Sequence, residues 1–88
     1  MTDQALAALI NRLREEIDNL PPSDHDARDR LEGIAGDLEK RIENAGDDEH
    51  HAGLVGSIQD TVHDLETRHP DATTVLNNIM MALANIGI

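Results

Sequence analysis

The sequence contains no phenylalanine, tryptophan or tyrosine, so a hydrophobic core has to be built from aliphatic side chains. Leu, Ile, Val, Met and Ala pack well between helices, whereas strands usually draw on aromatic and β-branched residues. Aromatic side chains also supply much of the burial in small domains. The composition therefore predicts helices around a thin core, and oligomerisation is a common remedy for a thin core.

Cysteine is also absent, which excludes disulfides, thiolate metal sites and a cysteine nucleophile. Lysine occurs once, and 18 acidic residues stand against 7 basic ones, a formal charge of −11 over 88 residues. Such a surface repels phosphate backbones, so we expect no binding to nucleic acid. No apolar run reaches the roughly 18 residues of a membrane span, and Met1-Thr2-Asp3 does not resemble the start of a signal peptide. We expect a cytoplasmic protein that does not enter the membrane.

Apolar residues are nevertheless frequent, at 39 % of the chain, and they are periodic. In the first segment they alternate at spacings of four and three, a heptad pattern typical of packed helices: Leu6, Ile10, Leu13, Ile17 and Leu20. Similar stripes recur three more times. The pattern predicts one domain over residues 1–88, with helices at about 3–20, 24–45, 48–68 and 70–86.

Punctuating residues separate these segments. Pro21-Pro22 ends the first helix, and Ser23 is a suitable N-cap for the second. Gly46 stands where a left-handed cap would end the second helix, and Pro70 is well placed to begin the fourth. Gly33 and Gly36 lie inside the second helix, where they either admit a neighbouring helix closely or loosen this one.

The predicted fold class is all-α. Short connections favour antiparallel neighbours, which gives a small four-helix bundle, or two helical hairpins that meet through the fourth helix in a homodimer with coiled-coil-like packing. The connection at Pro70 is so short that a kink and a full reversal both remain open.

The fourth helix is the most informative segment, because no charged side chain occurs from Ala72 to Ile88. It is either the central core helix or a helix that also pairs with its copy in another chain. We favour self-association, since its apolar residues point in too many directions for three narrow stripes to cover. Its asparagines argue against membrane insertion. The candidate interaction residues are Val75, Ile79, Met80, Met81, Leu83, Ile86 and Ile88.

Several polar residues have spacings that are known from metal sites or switches. Asp60-x-x-His63 and Glu66-x-x-His69 have the spacing of di-iron bundles, but both lie on one helix, whereas such a site needs ligands from four. We therefore expect neither a metal nor a cofactor. His50-His51 reads as polar residues in the first turn of a helix. A proton-driven switch at His51 and His69 is a weaker alternative, because imidazole titrates near neutrality.

Nucleophilic catalysis has little to build on. Ser57 lies near Asp60 and His63 in sequence, but three groups on one exposed helix face form no pocket and no oxyanion hole. We do not expect an enzyme.

The carboxyl-terminal residues resemble a known family. His69-Pro70, Ile79-Met80, Leu83 and the terminal Gly87-Ile88 are similar to a family of short bacterial proteins described only as a domain of unknown function, family 4404. The heptad helix with Arg14-Glu15-Glu16 is similar to it as well. The resemblance implies an all-helical fold and brings no activity and no site.

The predicted function is a non-catalytic protein–protein interaction or regulatory module that self-associates, with a further protein partner still to be identified. One alternative is an acidic mimic of nucleic acid that occupies a basic protein. The other is a metal-binding helical bundle.

Overall fold

In the computed structural model the chain forms four helices: α1 (Asp3–Asp18), α2 (His25–Glu43), α3 (Asp48–Leu65) and α4 (Pro70–Gly87). The structure describes residues 3–43 and 48–87, with the side chains of residues 4–43 and 52–85. These residues contain no strand. The prediction of an all-α fold is confirmed. The predicted cap at Gly46 lies outside the described residues.

Two helices end before their predicted ends, and a proline explains each case. α1 stops at Asp18, and the amide of Leu20 turns back to the carbonyl of Ile17 at 3.2 Å. α3 stops at Leu65, whose carbonyl accepts from the amide of His69 at 2.8 Å. A proline disfavours helical geometry at the residue before it. The heptad spacing continues through these segments, but the backbone cannot follow it.

The first turn of α2 is capped by Asp24, not by Ser23 as predicted. The Ala27 amide donates to Asp24 Oδ1 at 3.2 Å, the bond that an N-cap side chain accepts from the third helical residue. Ser23 and Asp24 are both good capping residues, and the predicted N-cap is one residue too early.

The four helices form an up-down-up-down bundle. α1 and α3 each contact both α2 and α4, whereas the diagonal pairs are not in contact within the described residues. The end of α1, the start of α2, the end of α3 and the start of α4 meet through residues such as Leu20, Asp24, His69 and Ala72. We call this end of the bundle the junction end. Each helix is antiparallel to both neighbours, so the α3–α4 connection is a full reversal.

The core is one cluster of aliphatic side chains from all four helices. Leu13, Leu38, Ile58 and Leu76, one from each helix, are fully buried. Burial of one such side chain contributes about 1.5–3 kcal/mol. The Cα radius of gyration is 12.2 Å, and a compact chain of this length is expected to have about 12 Å. A single copy thus closes its own core, so the thin-core argument for a dimer does not carry over.

α4 turns one face into this core. Val75, Ile79 and Leu83 are at most 5 % exposed. The prediction from the sequence assigned these three residues to an interaction surface, but they pack inside the single chain. α1 and α3 flank α4 on both sides, and together they cover more of it than their narrow stripes suggested.

The helical glycines admit no neighbouring helix. A Cβ atom added at Gly33, Gly36, Gly53 or Gly56 would have no non-local atom within 4 Å. The expectation that Gly33 and Gly36 allow close approach is therefore wrong for the single chain, and the alternative, that they loosen α2, remains.

Polar contacts tie neighbouring helices together at their surface. Arg30 of α2 donates to Asp64 Oδ2 of α3 at 2.7 Å and to Thr61 Oγ1 at 3.3 Å. Arg14 of α1 pairs with Glu39 of α2. Within the helices that the structure describes, none is both long and apolar enough to cross a lipid bilayer.

Candidate functional site

A cleft opens at the junction end of the bundle. It has a volume of about 250 Å³, and its walls come from the end of α1, the turn before α2, and the segment that joins α3 to α4. Its lining mixes charges of both signs with apolar and amide side chains: Glu16, Asn19, Leu20, Pro21, Arg68, His69, Pro70, Asp71 and Ala72.

One carboxylate beside this cleft joins three elements. Asp24 Oδ1 caps α2, while its Oδ2 accepts from His69 Nε2 at 2.6 Å and from Arg68 Nη1 at 3.2 Å. The His69 carbonyl in turn accepts from the Thr73 amide at 3.1 Å, in the first turn of α4. His69 thus shapes the junction before Pro70 by binding the carboxylate that caps another helix.

These contacts lower the pKa of Asp24 below its ordinary value of 3.8. The largest cause is the hydrogen bond from His69, followed by the cap bond from the Ala27 amide; burial opposes them, and the charge of Arg68 adds to them. A lowered pKa means that Asp24 stabilises the fold while it is ionised. That stability is present above pH 3.8, the ordinary pKa, and is lost as the pH falls through the lower pKa of the folded state.

Substitutions at Asp24 are expected to separate capping from charge pairing. Asn remains a good N-cap but lacks the negative charge that accepts from Arg68 and His69, whereas Ala loses both functions. At neutral pH the melting temperature should fall in the order wild type, Asp24→Asn, Asp24→Ala, measured by circular dichroism. At about pH 2, where a larger share of Asp24 is protonated than at neutral pH, the gap between wild type and Asp24→Asn should narrow. An equal gap at both pH values would contradict a role for the charge.

The outer side of α4 offers a second candidate site, of a different character. Its exposed positions from Thr74 onward carry no charge, and they recur at helical spacing: Thr74, Asn77, Asn78, Met81, Ala84 and Asn85. We call these six residues the neutral face. Met81 is 66 % exposed, and no other described large hydrophobic side chain is exposed. The protein has a net charge of −11, and a negatively charged partner would meet no repelling side chain on this face.

The predicted interaction residues divide into three groups. Val75, Ile79 and Leu83 belong to the core. Met80 is half-buried against that core, and Met81 is exposed on the neutral face. The side chains of Ile86 and Ile88 lie outside the described part of the chain. Gly87 is the last residue of α4.

Comparison with protein families decides the relationship. A family described as "Domain of unknown function (DUF4404)" matches residues 6–88. The chain belongs to this family. The resemblance at His69-Pro70 and at the carboxyl terminus is thereby confirmed. No curated protein matches the chain, and no solved structure matches it. Membership in DUF4404 therefore adds no known activity, and functional reasoning has to start from the two surfaces described above.

The candidate metal-ligating and catalytic side chains of α3 and the following turn are exposed in this DUF4404 member: Ser57, Asp60, His63 and Glu66. Among the residues that the structure describes, no group of three or more His, Cys, Asp or Glu side chains is arranged to hold a metal ion. His69 is directed to Asp24 and not to Glu66. The side chains of His50 and His51 lie outside the described part of the chain. The proton-driven switch at His51 and His69 therefore stays a prediction.

Sequence reasoning missed two polar links. The capping role of Asp24 could have been predicted, because aspartate directly before a helix is a capping signal. Its pairing with His69, 45 residues away, has no signal in a single sequence. The pair of Arg30 with Asp64 has none either; it lowers the pKa of Asp64, chiefly through the Arg30 hydrogen bond.

Proposed function

We propose that this protein is a non-catalytic interaction module that self-associates through the neutral face of α4. The observation that carries the proposal is the contrast between this face and the rest of the chain. The formal charge is −11, yet an entire exposed helix face from Thr74 to Asn85 is uncharged, with the exposed Met81 at its centre.

Electrostatics favours this face for contact between two copies. Two chains of charge −11 repel each other, and like charges about 4 Å apart cost about 4 kcal/mol each near a protein surface. The outer sides of α2 and α3 expose carboxylates such as Glu32 and Asp60. Contact at the neutral face keeps these groups apart, so it carries the smallest repulsion.

The side chains of the neutral face are suited to such a contact. Asn amides both donate and accept hydrogen bonds, and methionine adapts its shape to irregular apolar surfaces. A two-fold axis would bring identical faces together, the commonest arrangement in soluble oligomers. Asn77, Asn78 and Met81 of one copy would then meet the same residues of the other.

The non-catalytic part of the proposal is supported by how the reactive side chains are arranged. A catalytic nucleophile needs a base within hydrogen-bond reach and a third group that orients the base. Ser57, Asp60 and His63 lie exposed along a single helix, and His69 is engaged by the capping carboxylate Asp24.

Met81→Asp is expected to dissociate the dimer. The new carboxylate lies at the centre of the neutral face and meets its own copy across the two-fold axis. We expect the dissociation constant to rise at least about tenfold. Sedimentation equilibrium at micromolar concentration measures it: wild type should approach twice the chain mass of 9.6 kDa, and the variant should approach that mass itself.

Ser57→Asp is the matched control, because it adds the same charge at an exposed position of α3 seven residues before Asp64, which pairs with Arg30 of α2, away from the neutral face. It should leave the dimer unchanged, and both variants should keep the wild-type helix signal in circular dichroism. Added NaCl should strengthen the dimer, since screening weakens repulsion between acidic copies. A wild-type protein that sediments as a single chain at every concentration and salt level would refute self-association.

A further inference from the structure

We infer that α1 supplies the second half of the self-association surface, through Ala5, Ala8 and Leu9. The inference rests on the proposed function: the same second copy that contacts the neutral face of α4 would also contact these residues. Together, Ala5, Ala8, Leu9, Asn78, Met81 and Asn85 would form a surface across two helices, called here the two-helix face.

The sequence of α1 has the same peculiarity as α4. Its stretch from Gln4 to Asn11 carries no charged side chain, and the charged residues that flank this stretch are Asp3 and Arg12. Arg12 pairs with Glu15 at 3.5 Å and with Glu16 at 3.4 Å, so the charged half of α1 is internally matched. Ala8 is exposed, and Ala5 and Leu9 are half-buried. The uncharged half of α1 is thus accessible to a partner.

Topology brings this half of α1 beside the neutral face. α1 and α4 are antiparallel neighbours, because Glu16 and Leu20 line the junction-end cleft together with Asp71 and Ala72. The beginning of α1 therefore runs along the later turns of α4. The two charge-free stretches, from Gln4 to Asn11 and from Ala72 onward, lie side by side.

Helical spacing shows which sides of the two helices meet. Glu16 of α1 and Asp71 of α4 both line the cleft. Leu9 is seven residues before Glu16, and Asn78 is seven residues after Asp71, so each continues the same side of its helix. Ala5 and Asn85 extend these two sides away from the junction end. The named side chains at the boundary between α1 and α4 are therefore uncharged over about one turn of α1 and about two turns of α4.

The size of a stable interface requires a contribution of this kind. The neutral face of α4 runs about 18 Å along one helix of about 10 Å diameter, so its footprint is about 200 Å². A standard interface buries about 800 Å² per partner. A second helix about doubles the footprint to about 400 Å², half of the standard size, and α1 offers the uncharged surface that adjoins α4.

The uncharged surface also selects the occupant. A basic partner would gain most from the carboxylates on the outer sides of α2 and α3, such as Asp29 and Asp60. A second copy of this chain carries the same carboxylates on α2 and α3, so it meets less repulsion at the two-helix face. We therefore assign the face to a second copy.

Ala8→Asp tests the inference, with Ala7→Asp as its matched control. Both residues are exposed on α1, and both changes add one negative charge to the same turn. Ala7, however, is seven residues before Arg14, which pairs with Glu39 of α2, so it lies on the side of α1 away from α4. Ala8→Asp should raise the dissociation constant of the dimer about tenfold or more, while Ala7→Asp should change it less than about threefold.

Sedimentation equilibrium with circular dichroism distinguishes the outcomes. If Ala8→Asp and Ala7→Asp dimerise like wild type while Met81→Asp does not, the inference about α1 fails and the proposed function stands. If both alanine variants dissociate equally, the effect is one of net charge and the inference also fails. If wild type itself never dimerises, the proposed function fails, and the inference with it.

Discussion

Ile79→Ala is expected to lower the free energy of unfolding by about 2–5 kcal/mol, the range for truncation of a buried aliphatic side chain. Ile79 has no exposed surface, so the change removes its burial and leaves a cavity among the neighbouring helices. Small domains are stable by about 5–15 kcal/mol in total, and this single change removes a large share. Urea unfolding followed by circular dichroism measures the loss.

Met81→Ala is the control for this prediction. It shortens an apolar side chain on the same helix, two residues further along, but at an exposed position. Its effect on the unfolding of a single chain should stay within about 0.5 kcal/mol. Both measurements should use dilute protein, because dimer formation raises apparent stability. Equal costs at the two positions would contradict the assignment of Ile79 to the core and Met81 to the surface.

Replacing the four glycines of α2 and α3 with alanine is expected to stabilise the protein by about 2–4 kcal/mol. Gly33, Gly36, Gly53 and Gly56 lie inside helices, and a Cβ atom at any of them meets no non-local atom within 4 Å. Alanine reduces the backbone entropy that folding has to overcome, a gain of about 0.5–1 kcal/mol at each position. Because about 1 kcal/mol shifts the melting temperature of a domain of this size by about 4–8 °C, the combined variant should melt well above wild type.

Ala52→Gly provides the reverse test. Ala52 is exposed within α3, so its replacement should destabilise the chain by the same amount that each glycine substitution restores, about 0.5–1 kcal/mol. A combined alanine variant that melts no higher than wild type would show that the glycines make contacts beyond the single chain. The dimer should be unaffected, since the four glycines lie on α2 and α3, away from the two-helix face.

The helices could be predicted from the sequence because their cause is local. Leucine and isoleucine at spacings of three and four fall on one side of a helix, and this spacing does not fit a strand. Pro21-Pro22 and Pro70 interrupt the helical backbone, whatever the surrounding structure. The predicted ends of α1 and α3 were less accurate, because the apolar spacing continues past Asp18 and Leu65. The backbone has already left the helix there, before the following proline.

The assignment of α4 residues to core or surface required the tertiary structure. α4 is apolar on nearly every side, so periodicity does not distinguish the inward-facing Ile79 from the outward-facing Met81. Packing decided it: α1 and α3 flank α4 and enclose Val75, Ile79 and Leu83, which leaves the asparagines outside. The α4 residues that were predicted to form one apolar interaction surface thus divide between a core face and a separate uncharged face.

By itself, the sequence determined the helical class, the aliphatic core, the negative surface and the uncharged carboxyl-terminal segment, because composition and short-range spacing are properties of the chain before it folds. Only the tertiary structure decided that Asp24 meets His69 and that the start of α1 lies beside the end of α4. These contacts join residues far apart in the chain, and their partners are selected by the packing of whole helices, which no local pattern records.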